Sequence, residues 1–146
     1  MRALVLVEPG QIELQQRPDP QPGPGEVLLK VEATTLCGTD LRIISGAKTA
    51  GVRPGVIMGH EIAGRIAAVG DGVSGYSVGQ QATPSIVLSC NHCRVCLLGL
   101  EHLCENLRLF GYELDGGLAD YCLIPARAVA QGNLVTTRVE VPPTHL

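Results

Sequence analysis

Cys90, Cys93, Cys96 and Cys104 stand as C-x2-C-x2-C-x7-C in a loop-like stretch rich in Asn, His, Arg and Gly. Four thiolates so close in sequence can close a tetrahedron around one zinc ion and leave no position open, which is the arrangement of a structural metal. Two disulfides, or buried thiols acting as small hydrophobes, are the rival readings, and where no export signal precedes them thiols stay reduced. An iron–sulfur cluster is a smaller rival. The bacterial ferredoxin run ends C-x3-C-P, whereas here seven residues separate the last pair and Glu105 follows. His92 and His102 lie in the same stretch and are expected to face solvent, because four sulfurs already fill the shell.

A second, looser set joins Cys37-Gly38-Thr39-Asp40 to Gly59-His60-Glu61. Cysteine sulfur and imidazole nitrogen are both good zinc ligands, and a three-ligand site leaves room for a substrate oxygen. By spacing alone, a buried cysteine at a strand end and a core histidine is the commoner explanation.

The elements that must position these groups are mostly strands. Ala3–Val7 and Gln11–Gln16 are short β-type runs around Glu8-Pro9-Gly10, which suits a hairpin. Pro18, Pro20, Pro22 and Pro24 then make an extended, solvent-facing spacer. Glu26 to Leu36 reads as a strand with one wetter face and delivers Cys37. Residues 38–46 form a short capped helix ended by Gly46. Val56–Met58 leads into His60, and Ile62–Val69, Leu118–Pro125 and Asn133–Thr137 complete a β-rich inventory. Gly70-Asp71-Gly72-Val73-Ser74-Gly75 fits G-x-G-x-x-G and follows a strand, but no amphipathic helix comes after it to face a pyrophosphate, so a surface turn is expected.

Composition narrows the function classes. The 146 residues are 45 % hydrophobic and 17 % charged, enough for one core and little more. Net charge is −3, the wrong sign for non-specific nucleic-acid binding, and three Tyr, one Phe and no Trp cannot build a base-stacking platform. No nucleic-acid partner is expected. No run approaches the roughly 18 apolar residues of a membrane span, and the apolar run near Met1 is too short for a signal peptide, so the expected location is cytoplasmic, away from any membrane.

Gly59-His60-Glu61-x2-Gly64-x5-Gly70-x2-Val73 resembles, position by position, the signature of the zinc-containing alcohol dehydrogenases of the medium-chain dehydrogenase/reductase family. The four-cysteine run has the spacing of that family's structural zinc lobe and follows in the family's order. Gly116-Gly117-Leu118-Ala119 also looks like the family. The resemblance runs from about Met1 to about Pro142. It implies a mainly β, GroES-like, partly open barrel with short helices and a zinc lobe at about residues 88–110, the whole chain being one catalytic domain without a Rossmann domain.

That resemblance implies two zinc ions, one structural and one catalytic. Cys37 and His60 would bind the catalytic ion and Glu61 would be its neighbour, able to approach the metal. Thr39 would pass on the alcohol proton. Asp40 would orient His60 through its second ring nitrogen, while helix capping alone would also account for Thr39 and Asp40. The implied activity is reversible oxidation of an alcohol or polyol with NAD or NADP, the cofactor being bound by a domain outside this chain, so the chain alone should have little or none. The resemblance leaves a homo-oligomer open. Arg42 stands where many members have a relay His, and Arg does not release a proton near neutral pH. Gln80 replaces an Asp usual after Gly79. The family's fourth catalytic ligand lies further on, His145 being an in-chain alternative beside a fraying end.

Overall fold

The computed structural model describes residues 1–138 and 140–145, and the side chain of His145 lies outside the described residues. In chain order the strands are β1 (Arg2–Glu8), β2 (Gln11–Gln16), β3 (Val27–Thr35), β4 (Val56–Ile57), β5 (Glu61–Val69), β6 (Gln81–Pro84), β7 (Val87–Leu88), β8 (Arg108–Leu109), β9 (Tyr121–Ile124) and β10 (Leu134–Thr136). Three short helices interrupt them: α1 (Gly38–Ile44), α2 (Arg94–Leu97) and α3 (Ala126–Ala130).

Two open sheets carry the body. β2-β1-β4 forms one, and β10-β6-β5-β3-β9 forms the other, with β7-β8 a small ribbon apart. The β1–β2 hairpin turns at Pro9-Gly10. β2 is polar and exposed along nearly its whole length, as suits an edge strand, whereas Ala3 and Val5 of β1 are fully buried. β3 runs between β5 and β9, so Val27, Leu28 and Leu29 are buried in succession, and its second half opens to water.

The main core gathers Val27, Leu29, Ile62, Ile66, Phe110 and Ile124 inside the five-stranded sheet. Phe110, the only phenylalanine, is 1 % exposed, and truncating such a ring to Ala costs about 3–5 kcal/mol. A second cluster of Leu6, Ile43, Val56, Met58 and Tyr112 fastens α1 to β1 and β4.

Where structure and sequence patterning differ, the cause is local. Leu118 does not continue β9: its N–H donates to Met58 O and its carbonyl accepts from Leu4 N–H, so the chain pairs first with β1 and β4 and only then with β3. Residues 70–75 form a turn, with φ of +77° at Gly72 and +82° at Gly75, and no helix follows. β6, the β7–β8 ribbon and α3 have no counterpart in the patterning, being only two to five residues long. Among the described residues no helix is long and apolar enough to cross a membrane.

Candidate metal centres

The four-cysteine stretch folds into a lobe whose only buried cluster is the cysteines themselves, with Val95 and Leu107 against them. Asn91 takes a positive φ of 58°, which turns the chain tightly between Cys90 and Cys93, and Cys93 then caps α2. A 3-10 turn, Glu101–Leu103, brings Cys104 back. Sulfur separations are 3.9 Å (Cys90–Cys96), 3.4 Å (Cys93–Cys96) and 4.0 Å (Cys93–Cys104). A tetrahedron with metal–sulfur bonds of about 2.3 Å has edges of about 3.8 Å, so these sulfurs fit one ion and leave no space for a larger cluster. A disulfide needs about 2.05 Å, and all six cysteines are free thiols.

Backbone N–H groups aim at these sulfurs: Cys93 N–H at Cys90 Sγ (3.3 Å), Cys90 N–H at Cys104 Sγ (3.2 Å) and Asn106 N–H at Cys104 Sγ (3.3 Å). Hydrogen bonds from the His92 backbone, with a lesser one from that of Cys93, hold the Cys90 thiol down at about 6. Burial, reinforced by the hydrogen bond with Cys93, pushes the Cys96 thiol up to about 12. His92 and His102 are both exposed, and His92 Nδ1 lies 2.8 Å from Cys90 O.

The second centre is assembled by strand register. β3 and β5 are antiparallel, with Thr35 opposite Glu61 and Thr34 opposite Ile62. The residues just past the end of β3 therefore meet those just before the start of β5, which brings Cys37 and His60 together across 23 positions of sequence. Two register shifts, between Leu28 and Leu29 and between Val31 and Ala33, set that match.

Cys37 is also the N-cap of α1. Its Sγ accepts from Thr39 N–H at 3.3 Å, and Asp40 Oδ2 accepts from Cys37 N–H at 3.0 Å, a capping box built on cysteine. Thr39 is thus the second helical residue and not a cap. Asp40 is 1 % exposed and His60 5 %. His60 Nε2 lies 3.1 Å from Cys37 Sγ, while its Nδ1 lies 3.4 Å from Asp40 Oδ1. Those last two atoms are buried and complete no hydrogen bond. A cation at Nε2 would fix the proton on Nδ1, facing the Asp40 carboxylate, so the orphaned pair fits a metal in front of His60. The donor atoms of Cys37, His60 and Glu61 lie within 4.8 Å of one another.

Close backbone crossing holds His60 in place. Gly59 adopts a φ of +88°, and a Cβ on Gly116 would sit 1.9 Å from Gly59 O. Only glycine at 116 lets its segment approach closely enough for Gly116 N–H to reach Ile57 O (2.8 Å) while Gly117 N–H reaches Gly59 O (2.9 Å). Tyr112 is the participant that spacing did not reveal. Its ring centroid is 5.8 Å from that of His60, and burial raises its phenol while a hydrogen bond with Thr39 opposes that shift. The available signal was rarity, since Tyr112 is one of four aromatic residues.

Residues 23–134 match the family described as Alcohol dehydrogenase GroES-like domain. The chain belongs to this family. L-threonine 3-dehydrogenase from Pyrococcus horikoshii is 38 % identical over 148 residues, covering 99 % of this chain and 41 % of the relative. The cobalt- and zinc-bound thermostable alcohol dehydrogenase from Pyrobaculum aerophilum superposes with a TM-score of 0.81 at 36 % identity, over 96 % of this chain and 42 % of that one. A structure described as a short chain alcohol dehydrogenase from E. coli CFT073, complexed with NADH, gives 0.86 at 32 % identity, over 99 % and 40 %. This GroES-like domain therefore spans about two fifths of the length of the dehydrogenases it matches, and its oxidoreductase ancestry, mainly β fold and open sheets agree with the resemblance seen in the motifs.

Proposed function

We propose that the chain is the catalytic domain of a zinc-dependent dehydrogenase acting on a small alcohol or polyol, within a longer protein whose further part binds NAD or NADP. The observation that carries this reading is the Cys37–His60 contact at 3.1 Å with Glu61 adjoining and Asp40 buried behind the imidazole. Zinc bound there supplies Lewis acidity towards an alcohol oxygen. Cys37 and His60 hold the ion and Glu61 stands ready as a further oxygen donor. Thr39 Oγ1 would accept the alcohol's hydroxyl proton as it gives its own to solvent in the cavity it lines, so that the hydroxyl stays neutral. A guanidinium offers donors and no acceptor, so Arg42 does not serve as the exit. The four cysteines hold the second, structural ion. Hydride transfer needs a nicotinamide in contact with the substrate carbon, so the 146-residue chain alone is inactive in this reading.

Elemental analysis of chain purified without chelators tests it. Two zinc ions per chain are expected, with one lost in Cys37→Ser and the other in Cys104→Ser. A single ion unaffected by Cys37→Ser would instead make this a zinc-stabilised module without catalysis. Sustained turnover of an alcohol with NAD⁺ by the isolated chain would overturn its incompleteness.

A further inference from the structure

Among the described residues, two cations near the Cys37–His60 pair have no carboxylate partner. Arg2, Arg53 and Arg65 each reach a carboxylate, but among the described residues neither Arg42 nor Lys48 has one within ion-pair distance. The nearby carboxylates are committed: Asp40 is buried, binding Cys37 N–H and facing His60, and Glu113 accepts from Leu109 N–H.

Arg42 and Lys48 line one cavity of about 450 Å³ together with Thr39, Thr49 and Tyr112. Arg42 lies three residues beyond Thr39, on the same face of α1. Lys48 Nζ stands 5.3 Å from the Tyr112 ring centroid and donates to Ala50 O at 3.2 Å. The same Tyr112 ring packs near His60, and Thr39 N–H reaches Cys37 Sγ. Thr39 and Tyr112 thus form a wall shared between the cavity and the candidate metal centre.

We propose that this cavity is a subsite for an oxyanion, a carboxylate or phosphate carried by the alcohol substrate, with Arg42 and Lys48 as its counter-charges. The inference deepens the reading above and rests on it. A guanidinium offers a planar fork of donors and an ammonium a mobile point charge, and the hydroxyls of Thr49 and Tyr112 supply further donors. Two unmatched cations in a concave polar surface attract anions even though the chain carries a net charge of −3. Complementing the end of α1 would explain a cation at Arg42, and packing over Tyr112 one at Lys48, but neither role explains why both face one cavity that shares a wall with the metal centre. The substrates selected are hydroxy acids or phosphorylated polyols, the anion anchored here and the hydroxyl turned towards Thr39.

The test is ¹H–¹⁵N NMR of the zinc-loaded chain titrated with inorganic phosphate, 3-hydroxybutyrate and the neutral 2-butanol. Expected are saturable shifts at the amides of Thr39, Lys48, Thr49 and Ala50 and at Arg42 Nε–H, with phosphate, with 3-hydroxybutyrate or with both. The stronger anion identifies the source. Arg42→Gln and Lys48→Gln should each weaken that binding roughly tenfold, the scale of one charge-assisted hydrogen bond, while Lys48→Arg retains it. Equal shifts with 2-butanol, equal shifts at the distant Arg2 and Arg17, or titrations unchanged by both glutamine substitutions would overturn the subsite. The visible ligand-field bands that cobalt-loaded chain loses in Cys37→Ser, over and above those of the four-cysteine site, separate the two claims. With the bands present and no anion response, the subsite fails and the metal reading stands; without the bands, the metal reading fails and the subsite with it.

Discussion

Asp40 backs His60: its Oδ1 lies 3.4 Å from Nδ1, while the opposite ring nitrogen faces Cys37 Sγ at 3.1 Å. The same carboxylate caps α1 through the Cys37 N–H, so one buried side chain ties helix start, thiol and imidazole together. Asp40→Asn keeps an acceptor for the cap and removes the charge behind the ring. Zinc affinity at this centre should then fall roughly 10–100-fold, measured by competition with a chromophoric chelator. Asp40→Ala should also lose the cap, about 1 kcal/mol by denaturant unfolding. Unaltered zinc affinity in Asp40→Asn would leave Asp40 a capping residue only.

The zinc lobe has almost no apolar core of its own, so its order should depend on the metal. Removing the ion with a chelator is expected to release amide-exchange protection across about residues 88–110 while the five-stranded sheet keeps its own. Protection that survives complete metal removal would show that the lobe folds on backbone hydrogen bonds alone.

Gly116→Ala should damage the second centre from outside it. The added methyl would meet Gly59 O at 1.9 Å and Met58 O at 2.6 Å, both backbone atoms of the segment that leads into His60. A loss of about 1–3 kcal/mol or more in unfolding free energy is expected, together with weakened zinc binding at Cys37 and His60. A variant as stable as the original would mean that this crossing yields easily.

Asp120 joins β1 to the approach of β9. Its carboxylate accepts from the Arg2 guanidinium (3.0 Å) and the Arg2 backbone N–H (2.7 Å), and these bonds, the guanidinium first, hold its pKa below the ordinary carboxylate range. A depressed carboxylate contributes stability above its unfolded value of about 3.9, lost as pH falls through the lower folded value. The stability gap between the original chain and Asp120→Asn should therefore be constant from neutral pH to about pH 5 and close below about pH 4. Urea midpoints across that range give the comparison, and a gap independent of pH would assign the effect to shape alone.

The β1–β2 hairpin was legible because alternation and Pro9-Gly10 are local signals, and α1 was legible from Asp40 and Gly46. The four-cysteine lobe was equally plain, since all four cysteines fall within fifteen consecutive residues and need no distant partner. Spacing could nominate Cys37 and His60 but could not pair them, because their meeting depends on the two register shifts between β3 and β5. Tyr112 and Lys48 were out of reach for the same reason. One comes to the site through the glycine crossing at 116–117 and the packing of Leu6, Ile43 and Met58, and the other through the turn after α1.

Residue types thus determined by themselves which chemistry was available: sulfur and imidazole donors carried on a strand-rich body. The tertiary structure alone decided which of those groups come together, and that Arg42 and Lys48 line one cavity with Thr39 and Tyr112. Local propensity acts over a few residues, whereas strand register, close backbone approach and burial are properties of segments distant in sequence, fixed only when the whole core packs.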